Sequence, residues 1–521
     1  MRPGGAGYDV LVVGGGATGA GLLRDLSMRG LRCLLVEQSD LAHGTTGHFH
    51  GLLHSGARYV VRDPAAAEEC IAENRIVRRI AAPHVEDTGG LFCWLDGDPE
   101  DYPPEFLAGC AKAGIEVEEV PAVEARRREP LLSPRLARAF AVPDATVEPW
   151  GLVGDNAESA IHHGAEIRRY TRLIAVGVEG ARIRWAELED LRGGGRERVE
   201  VNFLASAAGY WAGRVAALAG VRVEMAPGWG TMVVMNQRLS SCVVNRCRPP
   251  ADGDILVPVG PVSILGTTDT TVDTDDYEVT PEEVRYIVTE AAAMVPAAAE
   301  RRALRVFAGA RPLYDPGQDA TSSRTLSRSH TVLDHAGDGV ENFVSIVGGK
   351  LTTYRLMAEH TADVVCAKLG VQARCRTAME PLPEAQSHAR HYSLGDRLTS
   401  REMGAGGADA DLVCECELVT REMVQDFVRS FRQSSGRPEI DDMLRALRLG
   451  MGPCQGAFCT LRAAGILERM RPSGVAALNP VQHFLDERMK GDRPILWGDG
   501  ARQFRLNEII YRDVLALDHA P

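Results

Sequence analysis

The feature that most constrains this chain is a glycine-rich turn set between a strand and a helix. Asp9 to Val13 is an apolar run of strand type, and Gly14-Gly15-Gly16-Ala17-Thr18-Gly19 breaks it as G-x-G-x-x-G. Ala17, Ala20, Leu23 and Leu26 recur at helical spacing, Gly30 stands where a C-terminal glycine cap belongs, and Arg32 to Val36 supplies a second buried strand. The spacing predicts a strand, turn, helix, strand unit. In such a unit Gly14 permits the tight turn, Gly16 lets the backbone approach a pyrophosphate, and Gly19 lets helix and sheet pack closely. Gly15, Ala17 and Thr18 complete the turn, whose helix N-terminus offers N–H groups to phosphate. Glu37 follows Gly19 by eighteen residues, at the end of the second strand, where a carboxylate can accept ribose hydroxyls. The unit points to dinucleotide binding.

The remaining composition excludes several function classes. With 521 residues the chain holds two to four domains, and 45% hydrophobic with 25% charged residues is a globular balance. A net charge of −13 argues against nucleic acid as the main partner, since phosphate backbones are held by clustered Lys and Arg. No apolar run reaches bilayer length, and Met1 to Gly7 is too short and glycine-rich for a secretory leader. The expectation is a cytoplasmic chain, or one peripheral on a membrane through partners. Twelve cysteines in that setting are reduced thiols, so a regularly spaced cluster points to metal rather than disulfide.

Beyond Glu37, the loop Leu41 to Gly47, with Thr45 and Thr46, and the segment His50 to Tyr59 are placed to pass near a cofactor ring, against the alternative of a simple connecting loop. Ala65 to Ile80 reads as a helix. Arg182 to Trp185 with Val199 to Ala205 reads as a hairpin, and the strand Asn202 to Ala205 runs into Ala207-Ala208-Gly209, a second backbone approach suited to a dinucleotide. Met225 to Asn236 and Ile255 to Asp269 read as sheet. Thr280 is an N-cap before Pro281 and a helix to Met294. Phe307 to Leu313 and Ser327 to His330 place Arg311 and Arg328 in loop-like settings. Phe343 to Val347 is a buried strand broken by Gly348-Gly349-Lys350, and the helix Leu351 to Leu369, with Thr352 in its first turn, repeats the logic of the opening unit. Arg58, Arg311, Arg328 and Lys350 form an anion pocket if the fold brings them together. Taken singly, each reads more often as a surface residue.

The last part of the chain is a separate unit carrying Cys414-Glu415-Cys416 and, 38 residues after Cys416, Cys454-Gln455-Gly456-Ala457-Phe458-Cys459. Four thiolates spaced C-x-C and C-x4-C suit one compact metal site, and a 2Fe-2S cluster fits better than zinc ribbons, which favour C-x2-C; structural zinc and ordinary buried thiols are the alternatives. Cys242 and Cys247 share the C-x4-C spacing but have no companion pair, and read as core thiols.

Several of these stretches together resemble the FAD-dependent glycerol-3-phosphate dehydrogenases, and most closely the catalytic subunits of the anaerobic type. They are Val13 to Gly19, His54-Ser55-Gly56-Ala57-Arg58-Tyr59, Gly266-Thr267-Thr268-Asp269, Gly309 to Leu313, Gly348 to Arg355 and the cysteine unit with Gly450 to Gly456. The resemblance implies an α/β plus α+β chain. A Rossmann-like FAD-binding domain with an inserted antiparallel-sheet substrate domain spans 1–385, a linker 386–410, and a small 2Fe-2S domain of the bacterioferritin-associated-ferredoxin type 411–521. It implies hydride transfer from sn-glycerol 3-phosphate to FAD, giving dihydroxyacetone phosphate. Electrons then pass through the cluster and partner subunits to membrane quinone, at the inner face of the cell membrane. Arg58, Tyr59, Thr268, Arg311, Arg328 and Lys350 are the implied substrate residues, with Arg58, Arg311 and Lys350 also polarising the reacting oxygen. Aerobic relatives carry a histidine near the position of Thr231, so the general base is not assigned there. His54 is the motif-based candidate, with a structural role as the alternative. A flavin amine or amino-acid oxidoreductase with a 2Fe-2S relay is the competing reading, although it needs fewer basic groups.

Overall fold

The structure, a computed structural model, describes residues 7–272, 275–315, 329–383, 411–431, 438–472 and 479–514. Its organising element is the strand Val10–Val13, buried along its whole length. It pairs in parallel with Cys33–Val36 on one side and Leu204–Ser206 on the other. Glu166–Arg168 and Phe343–Gly348 extend the sheet in parallel, and His330–Asp334 closes one edge antiparallel. A mostly parallel sheet must be covered on both faces. One face carries the helices Ala17–Met28, Pro149–His162 and Tyr354–Leu369, where Leu22, Leu23 and Leu26 pack on Ala160, Ala358, Ala362 and Val365. The other face is covered by the antiparallel strands Thr171–Glu179, Arg182–Asp190 and Gly195–Glu200 and the short helix Ala212–Leu218.

The opening unit therefore forms as its spacing predicts, with Gly30 in the left-handed region at φ +84 closing the helix. The expected hairpin forms, Arg182–Asp190 pairing antiparallel with Gly195–Glu200, but its second strand ends earlier than expected. Arg182 pairs first with Thr171–Glu179, a strand the sequence reading did not find, and Leu204–Ser206 leaves the hairpin to join the parallel sheet. Register here is set by a buried neighbour, Val10–Val13, that no local pattern reveals.

A second, mixed sheet runs in the order Thr270–Thr271, Gly228–Met235, Val262–Gly266, Ile255–Val259, Val243–Arg246, Gly90–Leu95, Leu136–Val142, Glu118–Pro121, with Ala303–Arg311 also pairing on Gly228–Met235. Phe307 to Arg311 is thus the end of a strand and not a loop, a second correction. Helix Pro281–Met294 covers this sheet and starts as expected, with Thr280 and Glu283 forming a reciprocal capping box.

The C-terminal unit has one two-stranded ribbon, Leu412–Cys414 with Val419–Thr420, and helices Arg421–Ser430, Ile440–Leu447, Cys459–Met470, Asn479–Asp492 and Gly498–Glu508. The expected linker 386–410 lies outside the described residues. The unit docks on both sheets: helix Asn479–Asp492 and Ile495 lie against the second sheet at Ala303–Arg311, and polar contacts reach the loops of the first. Arg445 donates to Asp40 at 3.1 Å and to Asp442 at 2.8 Å, Arg169 donates to Asp40 at 3.0 Å, and the Tyr170 hydroxyl donates to Asp442.

Helix Tyr354–Leu369 is tied to helix Pro64–Ile80 by a buried fork, Arg355 Nε to Glu73 at 2.8 Å and Nη2 to Glu73 at 2.6 Å, with both side chains under 5% exposed. Glu73→Leu leaves the guanidinium with the partly exposed Glu359, Thr377 and the Cys375 sulfur. We expect a loss of about 3 kcal/mol in urea unfolding, the low end of the cost of breaking a buried pair. An unchanged midpoint would contradict a structural role for the fork.

Candidate active site

The two sheets enclose a cavity of about 1030 Å³, whose wall runs from Glu37 past Thr45 and Thr46 to His54, Arg58 and Lys350. That is the upper end of the range for small-molecule sites, about 300–1,000 Å³. The cavity opens at the carboxyl ends of Val10–Val13 and Leu204–Ser206, where an open α/β sheet binds its ligands.

One end is a phosphate cradle. Gly14, Gly16, Ala17 and Thr18 line it directly, with Ala208 and Gly209 from the neighbouring strand and Gly348, Gly349, Leu351 and Thr352 from the second glycine break. Gly15 and Gly19 stand behind this wall. A Cβ on Gly19 would lie 1.9 Å from the Gly14 carbonyl oxygen, so the helix starts this close to the strand only without a side chain there. The helix N-cap, Gly16, provides no side-chain cap, which leaves first-turn N–H groups facing the cavity. Thr46 Oγ1 accepts the Ala17 N–H at 3.1 Å, and Thr45 Oγ1 donates to the Ala310 carbonyl at 2.5 Å. Glu37 lines the wall, accepting from Gly15 N at 2.7 Å and Ser39 N at 2.8 Å. Burial raises its pKa against those bonds. These residues fit a dinucleotide: bare helix-start donors for pyrophosphate, and a fixed carboxylate for ribose.

The other end is basic and holds histidines. His54, Arg58, Tyr59, Thr268, Arg311 and Lys350 all reach it, whereas Arg328 lies outside the described residues. Arg58 is paired with Asp254, itself 1% exposed, and Arg311 with Asp269 at 3.0 Å and Thr267 at 2.5 Å. The Lys350 ammonium sits 4.9 Å above the Tyr59 ring. Thr268 accepts the Thr231 N–H at 3.0 Å. Thr231 is itself buried, directed to Glu283 at 3.4 Å and not part of the cavity wall, so no acid–base group faces the cavity from that position.

Sequence reasoning brought the segment His50 to Tyr59 to the cavity but singled out neither His50 nor Arg62. His50, 5.8 Å from His54 ring to ring, accepts the Leu52 N–H on Nδ1 at 3.2 Å, which places the proton of the neutral ring on Nε2. Burial, then Arg311 and Arg58, push it down to about 3. Burial, His50, Arg58 and Lys350 hold His54 well below the usual histidine range, so it too is neutral at physiological pH. Arg62 is exposed at the rim, four residues after Arg58 across the turn Ala57–Tyr59, a spacing that was its available signal.

The C-terminal cysteines are gathered as two cross-motif contacts. Cys416 and Cys454 sulfurs lie 3.8 Å apart, and Cys459 hydrogen-bonds to Cys414, which pulls Cys414 down to about 7. A Cβ on Gly452 would lie 2.2 Å from Cys416 Cβ, so that residue must be bare for the second motif to reach the first. The two motifs are thus brought together, although among the described residues no group of three or more His, Cys, Asp or Glu side chains is arranged to hold a metal ion. Cys242 and Cys247 are buried core thiols, as read.

Residues 9–364 match the model of the family described as FAD dependent oxidoreductase. The chain is 41% identical over 532 residues to a subunit of the anaerobic glycerol-3-phosphate dehydrogenase of Escherichia coli K12, covering 98% of this chain and 97% of that one. Its identity to the corresponding subunit of the Haloferax volcanii enzyme is also 41%, covering 98% and 91%. Among solved structures, the glycerol-3-phosphate dehydrogenase from Bacillus halodurans complexed with FAD superposes with a TM-score of 0.62 over 97% of this chain and 95% of that one, at 19% identity. Glycine oxidase from Geobacillus kaustophilus superposes at 0.56 over 72% of this chain and 98% of that one, at 20% identity, so the fold alone is shared with amine-type enzymes. The cavity and fold define an FAD-dependent oxidoreductase. Within that class, the chain belongs to the family of these anaerobic glycerol-3-phosphate dehydrogenase subunits.

Two outcomes follow from this geometry. Gly16 has φ −75, and a Cβ there would meet only Thr46 Oγ1, at 3.1 Å. Gly16→Val should therefore fold and keep its far-ultraviolet circular dichroism, while its side chain fills the cradle and the purified protein carries no flavin; full flavin occupancy would refute the cradle. The second concerns pH. The folded protein keeps His50 neutral where the unfolded chain begins to take up a proton near 6.5. Stability is full above that pH and falls below it by up to about 1.4 kcal/mol per pH unit. In urea melts from about pH 7 to about pH 5, His50→Gln should flatten this slope.

Proposed function

We propose that the chain oxidises sn-glycerol 3-phosphate to dihydroxyacetone phosphate, and that its C-terminal cysteines hold a 2Fe-2S cluster that relays electrons to partner subunits and on to membrane quinone. The observation that carries the reading is one cavity with a phosphate cradle at one end and a basic, histidine-bearing pocket at the other. Residues 1–385 then act as the FAD-dependent oxidoreductase and 411–521 as the relay.

When bound, FAD supplies the acceptor for the hydride leaving C2. Gly14 to Gly19, with Ala208, Gly209 and Gly348 to Thr352, hold its pyrophosphate and ring, and Glu37 takes its ribose. Lys350 and Arg62 bring positive charge to the substrate phosphate. Arg311 and Arg58 are already balanced by Asp269 and Asp254, so they act as fixed donors that orient oxygen atoms with little added net charge. His54, neutral at the cavity wall, accepts the proton of the C2 hydroxyl as hydride departs. His50 presents an N–H to the oxygen that becomes the carbonyl. Tyr59 beneath Lys350, and Thr268 at the wall, shape the pocket.

The four thiols suit a two-iron cluster in their donor type and number. A separation of 3.8 Å is also the edge of a tetrahedron with metal–sulfur bonds of about 2.3 Å. Cys414, Cys416, Cys454 and Cys459 would hold it, and it would take electrons singly from a two-electron centre. Among the described residues no helix is long and apolar enough to cross a membrane. The reading therefore assigns quinone contact to the partners.

Anaerobic flavin bleaching tests the catalytic half. Lys350→Met should weaken glycerol 3-phosphate by about 1.5–3 kcal/mol, tenfold or more, and leave unphosphorylated glycerol nearly unchanged. Equal losses for the two substrates would rule out a phosphate role. For the relay, Cys414→Ser with Cys459→Ser should abolish the iron-dependent visible absorption and transfer to the partner, yet spare bleaching by substrate; zinc in place of iron in the native chain would end that reading.

A further inference from the structure

Behind one wall of the cavity lies a carboxylate that the mechanism does not use. Glu283 stands in the first turn of helix Pro281–Met294, and its two oxygens have different partners. Oε2 accepts the Thr280 N–H at 3.0 Å and so caps the helix. Oε1 gathers three hydroxyls: that of Tyr277, that of Thr231 at 3.4 Å and that of Thr268 at 3.4 Å. Of these residues only Thr268 lines the cavity, and it is 5% exposed. A hydroxyl oxygen carries one hydrogen and two lone pairs, and a carboxylate only accepts, so Thr268 gives its hydrogen to Glu283. One lone pair takes the Thr231 N–H at 3.0 Å. Glu283 and Thr231 both stand outside the cavity wall, which leaves the second lone pair for the cavity side. The Thr268 carbonyl is occupied as well, by Arg311 Nη2 at 2.9 Å. At this point the wall accepts a hydrogen bond and has none to donate.

We infer that Glu283 is a positioning residue that holds Thr268 as a fixed acceptor, and that this acceptor takes the C1 hydroxyl of the substrate. The inference rests on the glycerol 3-phosphate reading given above. In that reading the phosphate goes to Lys350 and Arg62 and the C2 proton to His54, so the C1 hydroxyl is the donor that remains. A carboxylate at C1 has no hydrogen to offer and meets the Thr268 lone pair with the charge of Glu283 behind it. The site thus selects a hydroxymethyl group at that carbon and rejects the carboxylate of a hydroxy acid or an amino acid.

The test is anaerobic flavin bleaching of the full-length, flavin-loaded protein by glycerol 3-phosphate and by propane-1,2-diol 1-phosphate of like configuration, which has a methyl in place of the C1 hydroxymethyl. The native protein should favour glycerol 3-phosphate in kcat/KM by about tenfold or more, the effect of one buried acceptor left unpaired. Thr268→Val should bring the two substrates within about threefold of each other. The role of Glu283 is read from inhibition by 3-phospho-L-glycerate, whose C1 is a carboxylate. In Glu283→Gln the amide oxygen keeps the Thr280 N–H and the amide nitrogen faces Thr268, which then accepts and turns its own hydrogen to the cavity. The inhibitor should bind this variant about tenfold tighter than the native protein. Thr280→Ala removes the reciprocal cap but keeps the Oε1 contacts, and should inhibit as the native protein does. No native preference between the two substrates, an undiminished preference in Thr268→Val, or equal inhibition of native and Glu283→Gln overturns the inference while leaving the glycerol 3-phosphate reading in place. Bleaching by neither phosphate ester overturns that reading and this inference with it. Should Glu283→Gln fail to fold, Glu283→Met, which frees the same hydrogen, is held to the same criterion.

Discussion

The structure depends on one close approach. The helix Ala17–Met28 begins against the end of the central strand so tightly that a single methyl at Gly19 would collide with the Gly14 carbonyl oxygen at 1.9 Å. That contact fixes where the helix axis points, and with it the bare first-turn donors beside Thr46. Because the sheet neighbours Leu204–Ser206 and Phe343–Gly348 run parallel to the same strand, their glycine-bearing exits at Gly209 and at Gly348 and Gly349 converge on the same opening. The cradle is thus a property of sheet topology, and side chains contribute to it only as props.

At the reacting end the logic reverses, and side chains dominate. Two partly exposed arginines are held against two buried aspartates, which fixes their direction and offsets most of their net charge. Lys350 is held over an aromatic face. Two partly buried histidines are held neutral among these cations, a state that suits one to accept a proton and the other, through its backbone-fixed tautomer, to donate a hydrogen bond.

What the sequence made legible was whatever is encoded locally. The turn at Gly14 to Gly19 and the cap at Thr280 rest on residues a few positions apart, and both formed as read. Arg311 is the instructive failure. Gly309 and Pro312 around it suggested a loop, but the segment is a strand because Gly228–Met235 lies alongside it. Gly309 serves close approach instead: a Cβ there would stand 2.0 Å from the His48 carbonyl oxygen. His50 was equally hidden, since its value depends on an Arg311 that is 261 positions away in the chain and beside it in the fold. The thiol partners, Cys416 with Cys454 and Cys414 with Cys459, cross between motifs and could not be paired from spacing.

Asp40 links the two functional halves by position. It lies between Glu37 and Thr45, which both line the cavity, and it accepts Arg169 from the parallel-sheet domain and Arg445 from the cysteine unit. The segment that lines the cavity between Glu37 and Thr45 is therefore also one of the places on which the C-terminal unit is seated. Any ligand that orders residues 37–46 favours the seated arrangement by the same free energy with which seating favours the ligand. A dinucleotide held at Glu37 and a cysteine unit held at Asp40 would share that segment, so loosening one would loosen the other.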